Sequence, residues 1–190
     1  RYIIFLHADV TFSNDFINNI KQSIEKQPDF GALCCVGVIR SLFGKVKIVT
    51  SEIKKQHNVL TADSCCLVIN KEHNLLFDAD LFDEYHMYIE DYCTQVRQNL
   101  NLKIYTLLTN WMWIKEQKPK KSMMNSLGNV LKMNYQNPKE FNYDSLLKTY
   151  NKDWFIHHGH TFLSEGAKWG NWNHYKIKLN EKWKKKISTT

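Results

Sequence analysis

The sequence predicts an α/β domain in which a mixed sheet is flanked by helices. Continuous apolar runs bounded by polar or turn residues indicate buried strands, and apolar residues spaced at helical intervals indicate helices. The two kinds of segment alternate through residues 1–110, which is the pattern of the α/β class. A chain of 190 residues, 43% of them hydrophobic, can bury a substantial core within one domain.

The first half of this region predicts three strands and one helix. Tyr2–Leu6 is a continuous apolar run, so we expect a strand that is buried on both faces. Ser13 or Asn14 can cap the following helix, because either side chain accepts a hydrogen bond from a free amide of the first turn. The apolar stripe of that helix comprises Phe16, Ile17, Ile20 and Ile24. Residues 32–39 predict a second buried strand, and residues 46–49 predict a weaker one.

The second half predicts the rest of the core. Residues 64–69 indicate a central strand, a helix is expected from about residue 90, and residues 103–108 indicate the next strand. The inward residues of that helix would be Tyr92, Val96 and Leu100. Residues 111–190 are less regular and aromatic-rich, and we expect a helical extension packed on the same domain. The short elements expected there are helices over residues 122–133 and 143–150 and a strand or loop over residues 153–160.

Five cysteines lie in or beside the predicted core elements: Cys34, Cys35, Cys65, Cys66 and Cys93. They form neither a C-x-x-C motif nor a zinc-ligand spacing. Neighbouring residues of a strand point to opposite faces, so an adjacent pair is poorly placed to hold one ion. We interpret the cysteines as small buried hydrophobic residues, and reduced thiols of this kind favour a cytoplasmic location.

The formal net charge is +7, with basic clusters over residues 115–121 and 182–186. A basic balance suits an anionic partner, and each cluster is equally well explained as a solvated face. Nucleic acid is not expected as a partner, because no DNA- or RNA-binding motif occurs. The lysine-rich C-terminus is compatible with a peripheral contact at the inner face of a membrane.

Asp9 directly follows the first apolar run. In open α/β sheets, ligands bind beyond the carboxyl ends of the strands. Mg²⁺ or Mn²⁺ is often held by one or two carboxylates together with substrate phosphates. Asp9 is therefore a candidate metal ligand, and a loop or capping aspartate is the alternative.

Glu90 and Asp91 open the second predicted helix. One of them can act as a general base, provided that it lies within hydrogen-bond reach of the proton it removes. The alternative is a pair of acids that stabilise the helix by facing the positive end of its dipole. The acidic and aromatic residues 83–88 would form the wall of a sugar-sized pocket.

Residues 156–160 include three histidines: His157, His158 and His160. Neutral imidazole is a good ligand for Mn²⁺ and similar ions. In a strand, His158 and His160 would face one side together and His157 the other. A structural histidine is the alternative.

Together these segments resemble family 2 glycosyltransferases of the GT-A type. The segment Phe5–Val10 contains L-H-A-D, which is similar to a variant of their D-x-D motif. The segments similar to the acceptor-binding half are residues 63–69, residues 82–84 and the H-x-Y-x-E-D pattern of residues 86–91. The nearest pattern is that of the StrF-like branch.

The resemblance, which covers residues 2–110, implies roles for particular residues. The catalytic base would be Asp91, with Glu90 beside it to bind acceptor or position the base. A divalent cation, Mn²⁺ or Mg²⁺, would be held with the donor diphosphate by Asp9, His7, His158 and His160. Substrate contacts would come from Asp63, Asp83, Glu84, His86, Tyr88, Arg97 and His157.

The implied activity is the inverting transfer of a sugar from a nucleotide-sugar donor to a saccharide or lipid-linked acceptor, in building a bacterial surface or secondary glycan. Enzymes of this family begin with a β-α-β nucleotide-binding half, whereas this chain begins at the D-x-D-like motif. We therefore expect the sequence to be the C-terminal portion of a longer protein. The alternative is an inactive GT-A-like module that binds a ligand or serves as a scaffold.

Overall fold

The computed structural model describes residues 1–41, 44–83, 87–113, 154–157 and 170–187. The α-helices within these ranges are α1 (Phe16–Lys26), α2 (Tyr88–Asn99) and α3 (Gly170–Ile187), and a short 3₁₀ helix covers Lys71–His73. The strands within them are β1 (Tyr2–Leu6), β2 (Val10–Phe12), β3 (Phe30–Cys34), β4 (Val36–Arg40), β5 (Val46–Thr50), β6 (Asn58–Val59), β7 (Thr61–Ala62), β8 (Cys66–Asn70), β9 (Lys103–Thr106), β10 (Asn110–Trp113) and β11 (Trp154–His157). The helices expected over residues 122–133 and 143–150 lie outside the described ranges.

A five-stranded sheet with the order β1-β8-β3-β9-β6 forms the centre of the fold. Strand β8 is antiparallel to both of its neighbours, whereas β3 and β9 are parallel, so β1, β3 and β9 run in one direction. Strand β6 closes the far edge by antiparallel pairing with β9. The predicted α/β class with a mixed sheet is confirmed, and the apolar run 64–69 supplies β8 in the interior of the sheet as expected.

Two three-stranded sheets complete the described strands. One has the order β5-β4-β7 and is antiparallel throughout. The other has the order β10-β11-β2, in which β11 is parallel to β10 and antiparallel to β2. The sequence analysis did not predict β2 or β10. Their pairing with β11 joins the region just after Asp9 to a segment about 150 residues later in the chain.

The central sheet is covered by α1 on one face and by α2 on the other, and each face has its own apolar core. Leu33 and Val68 point towards Phe16 and Ile20 of α1. Their neighbours in β3 and β8 belong to the second core with α2, whose members include Ala32, Cys34, Leu67, Ile69, Tyr92, Val96 and Ile104. This separation follows from the alternation of side chains along a strand.

Strand β1 lies at the edge of the sheet, and this corrects the expectation that both of its faces are buried. The large apolar side chains Tyr2, Ile3, Phe5 and Leu6 are each 38–39% exposed. They include residues of both parities, so both faces of the strand are partly open to solvent. Within the described ranges β1 pairs on one side only, with β8, because no other strand of the central sheet lies beyond it.

Helix α1 differs from the prediction at its start and on one face. Phe16 and Ile20 are buried, but Ile17 is exposed. The N-cap is Asp15, whose side chain makes no capping hydrogen bond, and the carbonyl of Ser13 accepts the amide of Phe16 at 3.0 Å. The apolar stripe is therefore narrower than the periodicity suggested.

Helix α3 was not predicted, because its sequence is rich in lysine and tryptophan and shows no clear apolar stripe. Tyr175 and Trp183 are nevertheless buried, and Tyr175 packs with Phe82 and Met87 in a small apolar cluster. This cluster fixes α3 against the loop that precedes α2. None of the helices in the described ranges is both long enough and apolar enough to traverse a lipid bilayer.

Candidate functional site

The carboxyl end of β1 places His7 between two side chains of the candidate site. The His7 amide donates to the carbonyl of Cys65 at 3.2 Å, which extends the pairing of β1 with β8 by one residue. His7 Nδ1 lies 3.8 Å from Asp9 Oδ1, and His7 Nε2 lies 2.7 Å from Ser64 Oγ. The side chain of Asp9 is only 7% exposed. Because both ring nitrogens of His7 face a neighbour, the imidazole is held in one orientation beside Asp9.

The turn between β7 and β8 (residues 63–65) is fixed by Asp63. The Asp63 amide donates to the carbonyl of Val36 at 2.9 Å, and Asp63 Oδ1 accepts the amide of Cys65 at 2.8 Å. An aspartate that binds the amide two residues ahead stabilises a tight turn. This turn places Ser64 beside His7. Asp63 therefore helps to hold the start of β8 against the end of β1.

Glu90 lies in the first turn of α2 and is partly buried. Loss of hydration raises the pKa of its carboxyl group from 4.5 to about 7, and the negative charge of Asp63 contributes in the same direction. A hydrogen bond to the backbone partly opposes this rise in pKa. Glu90 therefore titrates near neutral pH, which is the range expected of a group that exchanges a proton with a substrate.

These contacts link the two acidic segments that the sequence analysis singled out. Asp9 lies near His7, His7 contacts Ser64, and the adjacent Asp63 is close enough to Glu90 to affect its pKa. His7, Asp9 and Ser64 lie at the carboxyl end of β1, where ligands bind in open α/β sheets.

Asp91 has a different environment from Glu90, although the two residues are neighbours. Its side chain is 0% exposed. Oδ2 accepts hydrogen bonds from Lys182 Nζ and Gln95 Nε2, both at 2.8 Å, and Oδ1 accepts one from Trp183 Nε1 at 2.9 Å. The carboxylate is thus enclosed by α3 and by the next turn of α2, and an acceptor hydroxyl has no route to either oxygen in this arrangement.

The loop before α2 is also bound to α3 by charged and polar groups. The hydroxyl of Tyr175 donates to Asp83 Oδ1 at 2.7 Å, and this bond is the main reason why the pKa of Asp83 is lowered. Lys182 contacts Asp78 Oδ2 at 2.8 Å in addition to Asp91. Helix α3 therefore interacts with three carboxylates of this region.

The remaining predicted substrate residues are less closely associated with Glu90. Arg97 is exposed, and its guanidinium lies 3.4 Å from the carbonyl of Leu60. Seven residues of helix separate it from Glu90, or about 10 Å along the axis. Tyr88 packs edge-on against Phe77, with ring centroids 5.8 Å apart. Glu84, His86, His158 and His160 lie outside the described residues.

His157 is described as part of the backbone of β11. In the antiparallel pairing of β11 with β2, His157 lies opposite Val10, the residue that follows Asp9. Strand pairing therefore brings the backbone of His157 to the residue that follows Asp9, a relation that the separation in sequence did not reveal.

The donor set near Asp9 can be compared with the needs of a divalent cation. Over the described part of the chain, no three side chains of His, Cys, Asp or Glu are grouped closely enough to bind a metal ion. Asp9 supplies one carboxylate, which fits an ion held largely by substrate phosphates. His7 fits less well as a ligand, because its Nε2 is engaged with Ser64 and its Nδ1 faces Asp9. The structure is more consistent with His7 as a residue that orients Asp9.

The sequence analysis missed Ser64, Tyr175, Lys182 and Trp183. The Lys182 and Trp183 contacts with Asp91 span 91 and 92 residues of sequence, and no local periodicity reports such a pairing. The basic cluster was noted, but it was interpreted as a face for an external anion. The acids of the chain itself are the partners of Lys182.

The cysteines are free and buried, and burial is the main cause of the raised pKa values of four of them. The pKa of Cys93 rises to about 12. Thiols of this kind are poor nucleophiles, because the reactive form is the thiolate. Cys34 and Cys35 belong to the cores on opposite faces of the sheet, as the strand geometry predicts, whereas Cys65 and Cys66 both pack in the α1 core.

Two comparisons with known proteins give no relative for this chain. No model of a known protein family matches it, and no curated protein is significantly similar to it in sequence.

Proposed function

We propose that this chain is the catalytic portion of a glycosyltransferase of the GT-A type, similar to family 2 and to its StrF-like branch. It transfers a sugar, with inversion, from a nucleotide-sugar donor to a hydroxyl group of a saccharide or lipid-linked acceptor. The observation that supports the proposal most is the pKa of Glu90, which is raised to about 7 and so lies near the operating pH. Glu90 is linked to Asp9 through the charge of Asp63, the adjacent Ser64 and the contact of Ser64 with His7.

In this proposal Glu90 accepts the proton of the acceptor hydroxyl as the oxygen attacks the anomeric carbon. The resemblance assigned this role to Asp91. The contacts favour Glu90, because Asp91 is enclosed by Lys182, Trp183 and Gln95. A base whose pKa matches the operating pH combines the correct protonation state with sufficient basicity.

Asp9 is the residue that would hold a divalent cation, Mn²⁺ or Mg²⁺, at the donor diphosphate. Such an ion, when bound, neutralises negative charge on the leaving diphosphate. The contact of His7 with Ser64 orients the imidazole that faces Asp9. The roles of His158 and His160 as further ligands remain predictions, and what supports them is that the backbone of His157, which precedes them in the sequence, pairs with Val10.

Turnover by the full-length protein tests the proposal and separates the two acids. Purified protein is incubated with a panel of nucleotide sugars and Mn²⁺, and released nucleoside diphosphate is measured. Glu90→Gln and Asp9→Asn should each lower the rate about 10²–10⁴-fold. Glu25→Gln, which alters an exposed acid of α1, is the matched control and should be unchanged.

Two outcomes would contradict this assignment. If Asp91→Asn abolishes turnover in a folded protein while Glu90→Gln retains it, Asp91 is the base and the role of Glu90 is wrong. If the chain binds a nucleotide in calorimetry but releases no diphosphate from any donor, the alternative of an inactive binding or scaffold module is favoured. The enclosed carboxylate of Asp91 supports this alternative, because the residue that the resemblance names as the base does not reach solvent.

A peripheral contact with an anionic membrane is a further part of the proposal, and it suits an enzyme with a lipid-linked acceptor. Lys176 is exposed on α3, next to the exposed Ile177. Basic residues of this kind bind anionic headgroups, each contributing about 1 kcal/mol near the surface. Lys182 is excluded from this surface because it contacts Asp78 and Asp91.

A further inference from the structure

The first turn of α2, which carries Glu90, has no side-chain cap. Its N-cap residue is Met87, which makes no side-chain capping bond and has a φ of 64° in the left-handed region. A capping side chain normally binds the free amides of the first turn. A non-glycine residue in the left-handed region persists only when surrounding contacts hold it there.

Contacts from α3 hold the start of α2 through the side chain of Asp91. Lys182 and Trp183 donate hydrogen bonds to the two oxygens of Asp91, the fourth residue of α2. The side chain of Lys182 is itself only 16% exposed, so these bonds lie in a largely dehydrated environment. They hold the first turn from the side of α3.

A second set of contacts fixes the residue at which the helix begins. Met87 is buried and packs with Phe82 and Tyr175. The hydroxyl of Tyr175 also donates a hydrogen bond to Asp83. Tyr175 of α3 therefore makes both an apolar and a polar contact with this loop. The strained backbone at Met87 is therefore enclosed by the same helix that binds Asp91.

We propose that Lys182 and Trp183 are positioning residues, which hold the first turn of α2 through Asp91 and thereby set the orientation of Glu90 for the sugar transfer proposed above. Glu90 and Asp91 are consecutive residues of one helical turn, so a displacement of Asp91 displaces Glu90 with it. Asp91 can hold the turn because its carboxylate is enclosed by α3. Asp91 acts as the attachment point for α3, and Glu90 is the residue that meets the substrate.

The first test compares Lys182→Met with Lys184→Met by hydrogen exchange of the full chain. Both variants lose one lysine charge from α3, but Lys184 is exposed. Lys182→Met should raise exchange about 10- to 100-fold in α3 and at the amides of residues 91–94, the first amides of α2 that donate to helical carbonyls, as expected when charge-assisted bonds are lost. The central strands β3 and β8 should keep their protection, and Lys184→Met should resemble the wild type.

The second test measures turnover in the same variants. Lys182→Met should lower kcat at least about 10-fold and leave KM for the donor within about 2-fold, because the donor side at Asp9 is not altered. Lys182→Arg, which keeps the charge, should recover most of kcat. Trp183→Phe removes only the Nε1 donor while keeping an aromatic ring, and it serves if Lys182→Met fails to fold.

The proposal is overturned if Lys182→Met and Trp183→Phe exchange and turn over like Lys184→Met. It is also overturned if kcat falls equally in Lys182→Arg and Lys182→Met, because charge then has no part in positioning. The exchange measurement needs no substrate. If the wild-type chain transfers no sugar, the proposed function fails, while the exchange data still decide whether α3 holds the start of α2.

Discussion

Replacement of Glu90 by glutamine should make the protein more stable at high pH while it removes the proposed base. Partial burial raises the pKa of Glu90 from 4.5 to about 7. At about 1.4 kcal/mol for each pH unit, this difference corresponds to about 3 kcal/mol of unfolding free energy. Glutamine is neutral at every pH and is free of this cost of burying a charge.

The direction of the effect follows from proton binding. Between pH 4.5 and about 7, the folded protein retains the proton of Glu90 and the unfolded chain releases it. The contribution of Glu90 to stability is therefore complete below pH 4.5 and is lost as the pH rises through about 7. Activity that uses Glu90 as a base should rise over the same interval, because the ionised form is the base.

Chemical denaturation at pH 5 and pH 8 measures the effect. The free energy of unfolding of the Glu90→Gln variant, relative to the wild type, should increase by about 2–3 kcal/mol between these two pH values. The control is Glu25→Gln on α1, whose exposed side chain should give the same pH dependence as the wild type. Because each variant is compared with the wild type at the same pH, the effects of all other titrating groups on the free energy of unfolding cancel.

The reasoning is refuted if Glu90→Gln and Glu25→Gln show the same change between pH 5 and pH 8. Glu90 would then be hydrated in the folded protein, and its special suitability as a base would disappear. A destabilised Glu90→Gln variant at pH 8 would also contradict the argument, since it would mean that the ionised carboxylate makes favourable contacts.

Three further predictions concern packing and charge. Asp91→Ala should lower the free energy of unfolding by about 3–5 kcal/mol, because it leaves buried donors without their acceptor. The exposed control Asp80→Ala should change it by less than about 0.5 kcal/mol, and equal effects of the two variants in denaturant titrations would refute this. Gly31→Ala should cost about 1–3 kcal/mol, because its Cβ would collide with Val96 of α2, and an unchanged midpoint would show that the helix can shift freely. Replacing the exposed Lys176 by glutamate should weaken co-sedimentation with anionic vesicles at low salt, and binding equal to that of the wild type would exclude this face of α3 as the membrane contact.

Many strands and helices could be predicted from the sequence, because the residue patterns that indicate them are local. The apolar run at residues 64–69 became a buried strand, and the periodicity after residue 90 became α2 with Tyr92 and Val96 inward. The run at residues 32–39, predicted as one buried strand, is divided between the buried β3 and the partly buried β4, which belong to different sheets. These predictions depend on side-chain direction within one strand or helix. Burial of β1 was overestimated, because apolar composition does not report whether a strand lies at the centre or at the edge of a sheet.

The candidate site was accessible only in part. The sequence identified Asp9, Glu90 and Asp91 as acids placed next to regular elements, where ligands bind or dipoles act. The residue pattern did not distinguish the last two, because neighbours in one helical turn have the same local sequence context, and the family resemblance assigned the base to Asp91. The distinction comes from what packs against each side chain.

The sequence by itself determined the alternation of strands and helices, the identity of the acidic residues and their order along the chain. The tertiary structure decided which acid is dehydrated near Asp63 and which is bound by Lys182 and Trp183. The physical reason is that hydration and electrostatic interaction act through space. Such interactions need closeness in space, and Trp183, which binds Asp91, lies 92 residues away from it along the chain.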